Sequence, residues 1–473
     1  MDSLWLTVYA VVVFGLGAWG VVWFEAGQRA PLSRTVGLAV TLGAGVLGFA
    51  MFGLELLFMR PDRSTFLVLL AFALVGLALA VWRRRSMQAQ ASGCRELGPF
   101  ARLACVLMFV MLLGCLATAT LKALGLGLSD WDSFAIWALK AKVVAAEGLV
   151  PRPAYFSDVS MSYSHLDYPL MVPLHMASVF AVLDRVDDQL AKLPEALLYL
   201  GLACLVFSFC RRRTSLPMAL AVTVLVIGAP WTLRQAGSGM AEVQLMAFYT
   251  ASVVYLVEWR ETLRWRLCVL CGVMSAFAAF TKNEGLALGV INCVVMALFP
   301  SPRAPWRRLL AGAGLCALVF VLLVLPWMLW SHGIPRTHGD YLGNLSGATL
   351  MSNLARIPTV LGAFGKQIVT FEQHGLLWLV LLATAALRWR TFADSTIKLL
   401  WVLLVLHLSS YAMIFVVTPH DVVWHMASSL HRLVLHALPL GGMLVAMHLA
   451  SSVDAVGGAA ASAIAAPPAA PSP

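Results

Sequence analysis

Charge is what this sequence is short of. Asp, Glu, Lys and Arg make up 12% of its 473 residues, against roughly 25% in a soluble domain. That leaves too little polar surface to solvate a water-facing fold, which excludes an ordinary soluble protein. Segments about ten residues long with strict polar–apolar alternation are missing too, which excludes a β-barrel. Cysteine is scarce in any useful arrangement: the nine residues lie almost entirely within apolar runs. The one C-x-x-C, Cys268 and Cys271, stands at a helix start with no second pair, so small packing side chains explain it better than a metal or redox centre. The first apolar stretch, "LWLTVYAVVVFGLGAWGVVWF", lacks a basic start and is too long for a signal core, so it reads as a retained span. Its "GLGAWG" at 15–20 spells a dinucleotide fingerprint with no strand before it, and glycines for close helix packing are the better reading.

What the chain has is apolar length. Hydrophobic residues make up 60%, and runs of about 20, long enough for a ~30 Å hydrocarbon core, recur from end to end. The expected fold is an all-α polytopic membrane protein. Hydropathy places spans near 4–24, 35–59, 64–82, 101–122, 193–210, 216–233, 240–257, 267–282, 285–299, 309–330, 374–388, 397–417 and 431–449, roughly thirteen in all. Residues 1–124 then form N-terminal spans, 125–192 a large outer loop with juxtamembrane helices, and 193–449 the helical core. Residues 450–473 are an Ala/Pro-rich tail of low complexity.

The formal charge of +10 does not make a nucleic-acid surface, because the basic residues sit in short clusters between spans. These are "RRR" at 83–85, "RRR" at 211–213, "EWRETLRWR" at 258–266, "PRAPWRR" at 302–308 and "RWR" at 388–390. Such clusters are positive-inside anchors that face the cytoplasm and anionic lipid. One segment decides the count. If "YPLMVPLHMASVFAVL" (168–183) crossed the bilayer, 211–213 would fall opposite 83–85. Its fourteen or so helical residues cover only about 21 Å, so it reads as a helix that dips in from outside without crossing. Every basic cluster then faces the cytoplasm, in an inner membrane whose outer side carries 125–168, 234–242, 281–285, and 331–373 together with 418–432.

The acids and histidines collect in those outer segments. In "LSDWDSFAIWALKAK", Asp132, Ser133, Lys140 and Glu147 share about a third of the circumference of a regular helix. Asp130 or Asp132 also fits a simple helix cap. "SHLDYPL" adds His165, Asp167 and Tyr168, and ionisable residues at a membrane boundary are costly to desolvate and often functional. Glu242 follows "GSGMAE" at a span start; it is either an acid favoured by the helix dipole or a second carboxylate able to hold a divalent cation with Asp132. Lys282 and Glu284 in "TKNEG" read as an ion pair or as a phosphate-binding charge beside its partner. His420, Asp421, Trp424, His425 and Arg432 cluster in the last loop, which is alternatively a solvated rim. The five-residue spacing of His420 and His425 is poor for a zinc site.

Taken in series, "WDSFAIWALKAK…HLDYPLMVPL…GSGMAEVQLMAF…FTKNEGLAL…TPHDVVWHMASSLHR" resembles integral-membrane glycosyltransferases of the GT-C superfamily. More narrowly, it is similar to the bacterial family-39 proteins, the protein O-mannosyltransferase and lipid A aminoarabinose transferase types. The resemblance covers most of the chain from about residue 125 onward. It implies transfer of a sugar from a polyprenyl-phosphate-linked donor, outside the membrane, to a lipid, protein or glycan acceptor. Asp132 matches the family's acid after the preceding span, with Asp130 the fallback. His165 and Pro169 match a His-Pro-Pro-Leu segment of many relatives, while Asp167 and Tyr168 depart from it. Glu242 stands where an Asp often precedes a later span. The four segments before residue 122 exceed what such enzymes place ahead of the catalytic loop.

The chemistry implied is an inverting attack. Asp132 serves as general base toward the acceptor hydroxyl, with Glu242 and Asp167 orienting the acceptor or a cation. Lys282, Arg432 and His420 hold the departing lipid phosphate, and the lipid tail lies in a groove between spans. The alternative is a transporter or flippase of a lipid-linked saccharide, which would place charges at the bilayer midplane and show repeated broken helices.

Overall fold

Every described residue lies in a helix or a connection. The computed structural model describes residues 1–25, 30–86, 97–336 and 344–450, and no strand occurs among them. Part of the fourth outer segment (337–343) and the tail from 451 onward lie outside the described residues. The N-terminal helices are α1 (Asp2–Phe24), α2 (Leu32–Leu56), α3 (Arg63–Ser86) and α4 (Pro99–Gly125). The first loop holds α5 (Leu139–Glu147) and α6 (Met171–Leu183), followed by α7 (Leu193–Arg211), α8 (Leu216–Ile227) and the short α9 (Pro230–Gln235). Then come α10 (Glu242–Thr262), α11 (Trp265–Thr281), α12 (Asn283–Leu298) and α13 (Trp306–Trp330). The last part comprises α14 (Gly347–Ser352), α15 (Ile357–Val369), α16 (Phe371–His374), α17 (Leu377–Leu387), α18 (Ser395–Val417) and α19 (Val422–Leu435). It closes with α20 (Leu438–Ala450), bent 44° from α19.

Among the described residues, seven helices are long and apolar enough to cross a membrane, or eight if the bent α19–α20 pair is one span. The roughly thirteen hydropathy segments are not all of that length. α8, α11, α12 and α17 have 12, 17, 16 and 11 residues, about 16–26 Å at 1.5 Å per residue. α10 is long, but every residue from Glu242 to Arg260 is buried. A helix ringed by protein needs no apolar face toward lipid, which is why α10 tolerates Glu242, Gln244, Ser252 and Glu258. It is the axis of the molecule. α4 is its opposite, burying only Ala119 and Ala123 and presenting an apolar surface outward, as a lipid-facing helix does.

Glycines seat α1 on its neighbours. A Cβ at Gly17 would lie 1.8 Å from the Ala39 carbonyl oxygen of α2, so "GLGAWG" packs helices rather than holding a nucleotide.

Hydrogen bonds sort the chain into two faces. On one, Arg83 donates to the Val22 carbonyl and Arg266 to that of Trp23 (2.8 Å). Arg34 pairs with Glu25 (2.6 Å) and Glu258 (2.7 Å), and Arg212 also binds Glu258. Arg260 donates to the carbonyls of Phe299 and Pro300 (3.0 and 2.5 Å). Clusters 83–85, 211–213 and 258–266 therefore share a face with the chain entering 302–308. On the other, Arg60 donates to the Ala146 and Glu147 carbonyls (both 2.8 Å), Arg63 to Leu183 (2.6 Å) and Arg152 to Trp330 (3.0 Å). The start of α3, the 131–168 loop and the ends of α6 and α13 meet there. Both flanks of α6 belong to that second face, because Lys140 holds the carbonyls of Ser164 and His165 before it.

Candidate functional site

The site is built at the start of α10. Residues 131–147 form one continuous helix whose Ser133–Ala138 turn is the wider π type, a local irregularity frequent at functional sites. The extra width breaks the 100° spacing, so the polar arc expected from a regular helix does not form: Ser133 and Lys140 turn inward while Glu147 is exposed. Asp132 does not cap this helix with its side chain. Instead the Asp130 backbone carbonyl accepts from Ser133 N (3.0 Å) and Oγ (2.5 Å), which frees the Asp132 carboxylate to reach across to α19. There Arg432 Nη1 donates to Asp132 Oδ2 at 2.5 Å.

That guanidinium joins two carboxylates. Arg432 Nη1 also stands 3.6 Å from Oε1 of Glu242, the first residue of α10 and 1% exposed. Lys282 Nζ lies 3.3 Å from the same Glu242 oxygen and 3.0 Å from Glu284 Oε1. Asp132, Arg432, Glu242, Lys282 and Glu284 thus alternate in sign along one chain of contacts. Lys282 is the single extended residue between α11 and α12. The reversal there depends on Gly285, where a Cβ would stand 2.0 Å from the Ala278 carbonyl oxygen.

A second group surrounds Lys140. Its ammonium donates to the carbonyls of Ser164 (2.9 Å) and His165 (2.5 Å) and lies 5.6 Å from the Tyr168 ring centre. Full burial pulls its pKa down to about 7, opposed by the charge of Asp167. His165, in left-handed backbone, stacks on Tyr168 with ring centres 4.5 Å apart. Tyr168 lies within electrostatic range of Arg432, so the two groups adjoin.

The last loop divides. Asp421 is a helix cap, its Oδ1 accepting from Trp424 N at 2.8 Å. His425 bonds Thr418 Oγ1 at 3.0 Å, and its ring stands 5.8 Å from that of His420. It borders the cluster through the charges of Glu284 and Arg432. Trp424 is exposed. Arg432 of this loop enters the ion chain directly. Asp130 stands apart, with its charge acting on Lys122 at the end of α4.

Glu195 was not among the residues singled out from sequence. It is 1% exposed in the opening turn of α7, and its Oε2 accepts from Gly239 N at 2.7 Å. Gly239 and Gly237 both have positive φ, so this carboxylate holds the turn that delivers Glu242. The signal was an acid inside an apolar run, "KLPEALLYL", where ionisable residues are expensive.

Asp132 and Glu242 do not fit the divalent cation expected between them. The Arg432 guanidinium already stands against both carboxylates, and a dication there would meet a fixed positive charge at close range. Among the described residues, no group of three or more His, Cys, Asp or Glu side chains is arranged to hold a metal. A cavity of about 260 Å³ opens elsewhere on the same face, lined by Glu55, Arg60, Asp62, Leu174, Phe180 and Arg185 among others. It adjoins α2, α5 and α6, and none of the five ion-chain residues lines it. Chemically, the ion chain offers carboxylates to a hydroxyl and two cations to an anion, provided that an incoming ligand exchanges partners with it. No family model, curated protein or solved structure matches the chain.

Proposed function

We propose that this chain is a membrane glycosyltransferase that moves a sugar from a polyprenyl-phosphate donor to a hydroxyl acceptor at the outer face of the cytoplasmic membrane. One observation carries the reading. Asp132, Glu242, Lys282 and Arg432, far apart in sequence and set in separate motifs resembling those of GT-C enzymes, meet in a single ion chain. Asp132, the most exposed of the carboxylates paired with Arg432, takes the proton of the acceptor hydroxyl. The hydroxyl oxygen bonds to the anomeric carbon as the bond to the phosphate oxygen breaks, inverting that centre. Arg432 and Lys282 exchange their carboxylates for the departing phosphate, placing positive charge where negative charge accumulates. Glu242 fixes both cations between turnovers. By the positive-inside rule the face with the arginine clusters is cytoplasmic, which puts the ion chain outside. The short α8, α11, α12 and α17 complete a bundle of about thirteen membrane segments, and the isoprenoid tail lies between helices.

The test is transfer by the purified chain in lipid nanodiscs, supplied with polyprenyl-phosphate sugars and envelope acceptors. Asp132→Asn is expected to lower the rate by about 10²–10⁴, the usual worth of a general base. Equal transfer by both proteins removes Asp132 from the reaction. A transporter or flippase of a lipid-linked saccharide is the second reading, favoured by the Tyr249 and Tyr255 hydroxyls and Asn292 Oδ1, which lie buried in or near α10 without a hydrogen-bond partner among the described residues. Donor crossing the bilayer with no sugar transferred would select it.

A further inference from the structure

Beneath the ion chain lies a second set of polar atoms whose hydrogen bonds are not made by the protein. Glu242 Oε2, His436 Nε2, both ring nitrogens of His407 and the Tyr249 hydroxyl are buried without a hydrogen-bond partner among the described residues. Their residues are at most 2% exposed. Each such atom is costly to leave without a partner. They are also contiguous. His436 sits within electrostatic range of Glu242 and Lys282, and its Nδ1 is 2.9 Å from the Tyr411 hydroxyl. The Tyr411 ring is 4.7 Å from that of His407, which is 4.9 Å from that of Tyr249.

We propose that a file of bound water starts between Glu242 Oε2 and His436 Nε2 and continues past Tyr411 to His407 and Tyr249, inside the bundle. Water is the ligand that the chemistry selects. Carboxylate oxygen accepts, tyrosine hydroxyl donates and accepts, and a neutral imidazole does one at each nitrogen, so a molecule able to do both satisfies all of them. The backbone agrees. His436 occupies the 44° break between α19 and α20, and broken helix at membrane depth is tolerated where it is packed in protein or lines water. The file gives the buried side of Glu242 a hydrogen-bonded, proton-exchanging contact that Lys282 and Arg432 do not supply.

The inference stands apart from the transferase reading, because its test reads hydration rather than transfer. The full chain in nanodiscs is exposed to brief X-ray pulses in ¹⁸O-water, and side-chain labelling is quantified by mass spectrometry. Tyr199 is the internal control: it is as buried as Tyr249, but its hydroxyl donates to the Ile227 carbonyl at 2.7 Å. Tyr249 and Tyr411 are expected to label at least fivefold faster than Tyr199, with exposed Tyr163 as the upper reference. His407→Leu is expected to reduce labelling at Tyr249 while Tyr199 and Tyr163 keep their rates. Labelling of wild-type Tyr249 and Tyr411 at the Tyr199 rate overturns the water file, whatever the variant does.

Discussion

A residue's exposure decides how much its charge pair matters. Glu242 is sealed in protein, so it depends on Lys282 and Arg432. Removing one partner of a buried pair leaves an uncompensated charge and costs about 3–5 kcal/mol. Glu242→Gln should fall at the low end, because Lys282 keeps Glu284 and Arg432 keeps Asp132. The Asp132 side chain is 27% exposed, and its pair with Arg432 is closer to a surface bridge, worth about 1 kcal/mol or less. Thermal unfolding in detergent should therefore show a large fall in Tm for Glu242→Gln and a small one for Asp132→Asn. If both lower Tm equally, the two carboxylates share one environment and Asp132 loses its claim to the solvent-facing role. Lys282→Met combined with Glu242→Gln should lose less than the sum of the single changes, as directly coupled partners do.

Lys140 gives a second prediction at this scale. Its folded pKa of about 7 lies below the ordinary value of 10.5. Between those values the unfolded loop binds a proton that the folded loop does not, so stability rises with pH through that window by up to about 1.4 kcal/mol per unit. It is flat below about 7. The neutral amine keeps donor capacity for the Ser164 and His165 carbonyls. Hydrogen exchange across 131–168, corrected for its intrinsic pH dependence, should report greater protection at pH 9 than at pH 6.5. Equal protection at the two pH values would mean that Lys140 stays charged in the folded loop.

Among elements, the α11–α12 reversal is the sharpest constraint. Gly285 leaves no room for a side chain against the Ala278 carbonyl, and overpacking of this kind costs about 1–3 kcal/mol. Gly285→Ala should lower Tm accordingly and loosen Lys282, whereas Gly314→Ala in α13, with nothing within 4 Å of its Cβ position, should be neutral or mildly stabilising through helix propensity. Equal effects would deny the reversal its tight packing. The same elements mark what could be read from sequence. Helix class, the apolar runs and the short α6 follow from composition and length, because lipid and helix geometry leave few options. That α10 is the buried axis did not, since hydropathy averages over faces and cannot tell lipid from protein. The π turn at Ser133–Ala138 was also out of reach, as residue spacing presupposes a regular helix. Asp132 and Arg432 could be singled out, yet their pairing spans 300 positions and is fixed by packing that no local pattern encodes.

The whole molecule is polar at two opposite ends of one buried helix. α10 begins at Glu242 in the ion chain and ends near Glu258, which Arg34 and Arg212 bind on the other face. Sixteen residues of helix separate those carboxylates, about 24 Å, so the two networks lie at opposite ends of α10. The arginine-rich end also gathers 83–85, 211–213 and 258–266, and in the proposed topology it is the cytoplasmic side. Ser157 and Ser215 are exposed on the opposite faces, and neither side chain caps a helix, so each tolerates cysteine. In intact cells, a membrane-impermeant maleimide should label Ser157→Cys and leave Ser215→Cys unlabelled until the membrane is permeabilised, with the native cysteines, mostly buried or half-buried, giving the background. The reverse pattern would put the ion chain in the cytosol. A polyprenyl-phosphate donor displayed outside could not then reach Asp132, and the transferase reading would fail with the topology.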